Sequence, residues 1–139
     1  MNYMLDTNIC IYIINNKPKS VIEKFLSLNQ NDMVFLSSIT IAELFYGLEK
    51  SKSQKKEQNR DALIKFLTPF EIVDYDENSA IEYGKIRAKL EKKGKVIGAN
   101  DILIASQAKD LGYILVTNNV KEFERVDGLV IENWVCEIS

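Results

Sequence analysis

Ile97-Gly98-Ala99-Asn100-Asp101-Ile102-Leu103-Ile104-Ala105-Ser106-Gln107-Ala108 decides how the rest of the chain reads. Asn100 has the side chain of a helix N-cap, and Gly112, just past Leu111, is where a helix begun there would stop. Between them, Ile102, Leu103, Ile104, Ala105, Ala108 and Leu111 leave almost no polar side, which predicts a helix buried from nearly every direction. Asp101 opens this helix on the face shared by Ile104, Ala105 and Ala108. An acid in a first turn offsets the helix dipole by ~0.3–1 kcal/mol and needs no other reason to be there. A chemical reading of Asp101 depends on whether the fold brings other acids to the same place.

Downstream, Tyr113 to Val116 predicts a strand ending at Thr117-Asn118-Asn119, then one or two helical turns over Val120 to Arg125 and a strand over Leu129 to Ile131. Upstream, Tyr83, Ile86 and Leu90 stripe a long helix that ends in Lys92-Lys93-Gly94-Lys95, and Glu71-Ile72-Val73 is a strand closed by Asp74-Tyr75-Asp76. Thr40-Ile41-Ala42-Glu43 and Ser20-Val21-Ile22-Glu23 match capping boxes that would start two further helices. Glu49 to Asp61 is strongly polar and predicts a solvated connection before Leu63, Phe66 and Leu67 restore a core face. Val34 to Ser37 and Asn2 to Leu5 complete the strands, the latter ending at Asp6-Thr7-Asn8 before a short helix over Ile9 to Ile14. Short, continuously apolar strands separated by helices predict an α/β fold, with a mainly parallel sheet of about five strands buried on both faces. No repeat or linker divides the chain, so residues 1–139 read as one domain. In such a sheet ligands bind where the strands end and the helices begin.

Composition narrows the chemistry. There is no histidine among the 139 residues, which excludes a Ser-His-Asp triad and any zinc site that needs imidazole. A net charge of −2 argues against bulk electrostatic capture of nucleic acid. Cys10 and Cys136 lack metal-type spacing and read as core or surface thiols of a cytosolic protein, with a disulfide between them as the alternative. The apolar run Ile9 to Ile14 is far too short to span a membrane. No Walker loop or Gly-rich dinucleotide fingerprint is present.

Asp6 ends the first strand, Glu43 falls in the first turn of the helix after the second, and Asp101 in the first turn of the helix before the fourth. All three therefore point to one edge of the sheet, where Asn118 and Asn119 join them. Each could be a cap, but capping requires no shared edge. Two carboxylates ~5 Å apart repel by ~3 kcal/mol at an effective dielectric of 20, which a cation would offset. Hard oxygen donors without imidazole or thiolate select Mg²⁺ or Mn²⁺. The chemistry this suits is metal-assisted attack of water on a phosphodiester.

These residues carry a family resemblance. Met4-Leu5-Asp6-Thr7-Asn8, Ser38 to Leu44, Ile97 to Ala105 and Val116 to Phe123, with Gly128-Leu129 and Glu132-Asn133-Trp134, resemble in order the motifs of PIN-domain ribonucleases. More closely, the chain is similar nearly end to end to the VapC toxins of bacterial toxin–antitoxin pairs. The resemblance implies a three-layer PIN-like fold and a Mg²⁺-dependent endoribonuclease, usually a homodimer, held inactive by a cognate VapB-like antitoxin. It assigns metal binding to Asp6 and Asp101 with Glu43 as the third acid, and it points to structured RNA such as tRNA as substrate. Many PIN domains carry a fourth acid where this chain has Asn119, which puts a second tightly bound metal in doubt. Thr7, Asn8, Thr117 and Asn119 are read as supporting residues.

A phosphate-binding site needs positive charge beside its acids. Lys92, Lys93 and Lys95 are expected to contact RNA because their loop leads into Asp101, in preference to the lysines between Lys50 and Arg60. Ile9, Ile13, Ile14, Phe25, Leu44, Phe45 and Tyr46 are more apolar side chains than two N-terminal helices need, which favours a homodimer and an antitoxin groove near Glu43. Two rival readings stay open here. One is a phosphoacceptor receiver domain with Asp74 or Asp76 as acceptor; the other is a PIN fold that only binds.

Overall fold

Residues 1–136 are described by a computed structural model of the chain. Five strands, β1 (Asn2–Leu5), β2 (Met33–Ser37), β3 (Glu71–Val73), β4 (Ile114–Val116) and β5 (Ile131–Glu132), form one sheet in the order β3-β2-β1-β4-β5. Every pairing is parallel, with Met4 level with Phe35 on one side and Leu115 on the other. Side chains alternate between two cores. Tyr3, Leu5, Leu36 and Val116 face one layer of helices, and Met4 and Leu115 face the other. Leu5, Leu36 and Leu115 are wholly buried, and each such side chain contributes ~1.5–3 kcal/mol relative to exposure. The expected three-layer α/β architecture is therefore the one observed.

On the first face lie α1 (Thr7–Ile14), α2 (Lys19–Leu26), α3 (Ser38–Lys50) and α4 (Lys56–Leu67); on the second lie α5 (Glu77–Lys92), α6 (Ala99–Leu111) and α7 (Val120–Phe123). The central stretch is α6, and Ile102, Ile104, Ala105, Ser106, Gln107 and Ala108 are all buried in it. Of its two polar members, the Ser106 hydroxyl bonds that of Tyr75 at 2.8 Å, and Gln107 Nε2 donates to the carbonyls of Val73 and Asp74 while its buried Oε1 has no partner among the described residues. Gly112 closes the helix at φ 71°, a conformation that costs glycine nothing.

Four helix starts differ from the sequence reading, two of them for one reason. Strands β1 and β2 pass into helices through a single extended residue, leaving no loop for a later cap. Asp6 (φ −66°, ψ 156°) caps α1 from its own side chain, so that helix begins at Thr7 rather than Ile9. Ser37 (φ −72°, ψ 144°) caps α3, and Thr40 is inside the helix with a buried hydroxyl that has no hydrogen-bond partner. The capping box of Thr40 with Glu43 does not form, and Glu43 sits in the second turn. Pro18, not Ser20, precedes α2, and the Ser20 hydroxyl accepts from the backbone N–H of Cys136 instead. Gly98 takes the cap position of α6 in place of Asn100, which keeps Asp101 in the first turn. The polar segment between α3 and α4 shrinks to residues 51–55, because ion pairs of Glu49 with Lys56 and Arg60 let both helices run into it.

Candidate active site

Asp6 is the fixed point of the sheet edge. It is 5 % exposed, and its backbone N–H extends the β1–β4 pairing by donating to the Val116 carbonyl at 2.9 Å. Each carboxylate oxygen is held: Oδ1 accepts from the Thr7 N–H at 2.8 Å, and Oδ2 from the Thr117 hydroxyl at 2.8 Å. Thr117 in turn accepts from the Asn119 N–H at 3.0 Å. Thr7 does a second job, donating its hydroxyl to Glu43 Oε1 at 2.6 Å. One threonine thereby ties the β1–α1 turn to α3. The Glu43 carboxylate that would have closed a capping box is drawn to the edge instead.

Asp101 approaches from α6 and is different in kind. Among the described residues its carboxylate accepts no hydrogen bond, and burial raises its pKa from 3.8 to about 6, reinforced by the charges of Asp6, Glu122 and Glu43. Burial likewise raises Asp6, with Glu43 adding to it, although the bonds from Thr117 and Thr7 pull the other way. Crowding of like charge therefore acts on both aspartates. Cys10, buried next to Asp6, has its thiol pushed far up by burial and by that carboxylate, so it stays protonated and unreactive.

Glu122 is the residue the sequence reading missed. It lies in α7, accepts from Asn119 Nδ2 at 3.0 Å, and adds to the field that raises Asp101. Asn119 thus positions an acid one turn further on. The available signal was an acid in the first turn of a helix that follows a strand, the pattern read at Glu43.

The other expected residues divide. Thr7, Thr117 and Asn119 all bond within the site, whereas Asn8 is exposed and its side chain makes no hydrogen bond among the described residues. Asn118 reaches Tyr12 and Asn133 at the rim. Lys92, Lys93 and Lys95 are exposed at the end of α5, and Lys93 pairs with Asp127 at 3.5 Å. Asp76 caps α5 by accepting from the Ser79 N–H at 2.9 Å, a structural task. Of the apolar residues expected to exceed what the helices bury, Ile9 and Leu44 are buried, Ile13, Ile14, Phe25 and Phe45 pack on the core, and only Tyr46 stands 66 % exposed.

The donor set fits a hard cation. Its acids offer carboxylate oxygens, and one carboxylate, that of Asp101, accepts no hydrogen bond among the described residues and is crowded by the others. Among the described residues, however, no three acids converge closely enough to enclose an ion by themselves. Mg²⁺ characteristically takes one or two carboxylates and fills its octahedron with water, and Asp6 with Asp101 would meet that demand.

A profile of the PIN domain matches residues 3–129. Ribonuclease VapC2 of Rickettsia felis is 50 % identical over 134 residues, 96 % of this chain and 98 % of that one. The tRNA(fMet)-specific endonuclease VapC of Shigella flexneri is 48 % identical over 134 residues, again 96 % and 98 % of the two chains. The crystal structure of VapBC2 from Rickettsia felis, bound to a DNA fragment from their promoter, superposes with a TM-score of 0.90 at 49 % identity, covering 97 % of this chain and all of that one. A parallel five-stranded α/β sheet, acids gathered where its strands end, and this degree of likeness place the chain in the PIN-domain family, among the VapC ribonucleases.

Proposed function

We propose that this chain is a Mg²⁺-dependent endoribonuclease toxin that hydrolyses phosphodiester bonds in structured RNA, tRNA foremost, and is neutralised by a VapB-like antitoxin. The carrying observation is the crowding of Asp6, Glu43 and Glu122 on a hydrogen-bond-free Asp101. Mn²⁺ would substitute through the same oxygen donors. The divalent ion, when bound, supplies Lewis-acid stabilisation of phosphoryl oxygens and a more acidic water. The chain's own residues do the positioning. Thr117 and the Thr7 N–H fix Asp6 in one rotamer, the Thr7 hydroxyl fixes Glu43, and Asn119 fixes Glu122, which leaves Asp101 the acid free to orient a water. The 48 % identical tRNA(fMet)-specific endonuclease supports tRNA as the first substrate to try.

With no histidine to activate a ribose 2′-hydroxyl, water is the nucleophile. Cleavage of a tRNA mixture in Mg²⁺, absent in chelator, should leave 5′-phosphate and 3′-hydroxyl ends and tolerate a 2′-deoxy scissile nucleotide. Ends bearing 2′,3′-cyclic phosphate would overturn the mechanism.

The antitoxin reading is supported by an apolar concavity of about 370 Å³ beside Glu43, lined by Ile11, Ile14, Leu44, Leu48 and Leu63 among others. A helix laying its apolar face there would cover Glu43. A homodimer is part of the same proposal, burying exposed Tyr46; sedimentation as a monomer at micromolar concentration would refute it.

A further inference from the structure

On the α5 side of the molecule two adjoining concavities, of about 180 and 400 Å³, share Leu90, Arg125 and Asp127. Together they are lined by six cations, Lys85, Lys89, Lys93, Lys95, Lys109 and Arg125, against three carboxylates, Glu82, Glu124 and Asp127. The carboxylates are partly spent: Asp127 pairs with Lys89 and Lys93, and Glu82 with Lys109. Among the described residues Lys85, Lys95 and Arg125 have no ion-pair partner. A net charge of −2 for the whole chain makes this local excess a feature of placement rather than of composition.

The groove is tied to the acids by two short spans of backbone. Arg125 follows Glu122 by three residues, and Lys95 precedes Asp101 by six, with Gly98 between them at the start of α6. Four carboxylates repel a phosphate chain, so a strand with one phosphate among them needs cations at its neighbouring phosphates. The floor is apolar at Ile86, Leu90 and Val126, but the walls are charged, unlike the apolar concavity beside Glu43.

We infer that Lys85, Lys95 and Arg125 form a track for the phosphodiester backbone of the RNA, holding phosphates that flank the scissile one. The inference rests on the endoribonuclease reading and narrows its basic residues: Lys95 belongs to the track, Lys93 is engaged with Asp127, and Lys92 lines neither concavity.

The test uses the full chain and a fluorescein-labelled RNA hairpin in chelator, with binding followed by anisotropy over a range of salt. Every phosphate that a variant no longer neutralises lowers the slope of log K against log salt by about 0.7–0.9. The variant Lys85→Gln/Lys95→Gln/Arg125→Gln should bind about tenfold more weakly or worse and lose about 2–3 of that slope. The control Lys50→Gln/Lys52→Gln/Lys55→Gln, and the charge-keeping Lys85→Arg/Lys95→Arg/Arg125→Lys, should match the parent. An unchanged slope in the Gln variant, from a parent that cleaves tRNA in Mg²⁺, overturns the track and leaves the nuclease reading standing. A parent that binds hairpin through these residues yet cleaves nothing overturns the nuclease reading, and with it the placing of the held phosphates beside a scissile one. A parent that binds oligoglutamate here but no RNA overturns the track.

Discussion

Replacing Asp101 by asparagine separates a helix-capping acid from a member of a charge cluster. If Asp101 only offsets the dipole of α6, Asp101→Asn costs ~0.3–1 kcal/mol at pH 7 whether or not metal is present. The structure argues for the opposite sign. A rise from 3.8 to about 6 would correspond to ~3 kcal/mol of penalty on the charged form. Asp101 is only partly buried, so solvent screening reduces that to ~1–2 kcal/mol, still larger than the dipole effect. Between pH 4 and 6 the native chain holds a proton here that the unfolded chain has released, so its stability falls as pH rises through that window. In chelator the variant should therefore match the parent near pH 4 and exceed it at pH 7. At ~3–4 °C per kcal/mol for a domain of this size, the gain in Tm is ~3–8 °C. Mg²⁺ at a hundredfold excess over Kd should then stabilise the parent by ~2.7 kcal/mol and the variant far less. Thermal melts at both pH values, in chelator and in Mg²⁺, read all four corners. A variant that melts lower than the parent in chelator at pH 7, yet responds equally to Mg²⁺, refutes the cluster.

Thr117→Val leaves the buried Asp6 Oδ2 and the partly buried Asn119 N–H without partners, and should cost ~1–3 kcal/mol in urea unfolding, with Thr117→Ser restoring most of it. A loss below ~0.5 kcal/mol with full cleavage activity would mean that the clasp on Asp6 has no energetic role. Glu122→Gln removes one of the charges acting on Asp101, so the Asp101 carboxyl should titrate lower by NMR while tRNA cleavage slows. An Asp101 titration that does not move would place Glu122 outside the cluster.

Hydrophobic pattern carried the fold well because the central strands β1, β2 and β4 run into the buried middle of the sheet and read as apolar runs, whereas β3, at the sheet edge, is largely exposed. Helix termini were less legible. The fragment Thr40-Ile41-Ala42-Glu43 satisfies a capping box on paper, but Ser37 is already extended at the end of β2 and takes the cap first. Which serine or threonine wins is decided by where the strand stops, and β2 stops where its pairing to β3 stops, at Ser37 with Val73. The same misreading hid the bond from Thr7 to Glu43, which joins residues 36 positions apart. Asp6 and Asp101 were legible as an edge pair because both adjoin strand or helix ends that periodicity locates. Glu122 was not, since α7 spans only Val120–Phe123 and gives a periodic reading almost nothing to work on.

The strand order has a consequence for timing. β1 is the first strand to be synthesised and the middle one in the sheet, and β4, its neighbour on one side, comes more than a hundred residues later. Until Ile114–Val116 exists, β1 has a bare edge and Asp6 lacks the Thr117 hydroxyl that holds it across 111 positions. A growing chain that has reached Gly112 already contains Asp6, Glu43 and Asp101, but neither the strand that completes their edge nor Glu122. The acids can be set in place only once β4 has been made, more than a hundred residues after β1. A site built this way stays unfinished while the strands that frame it are still being made.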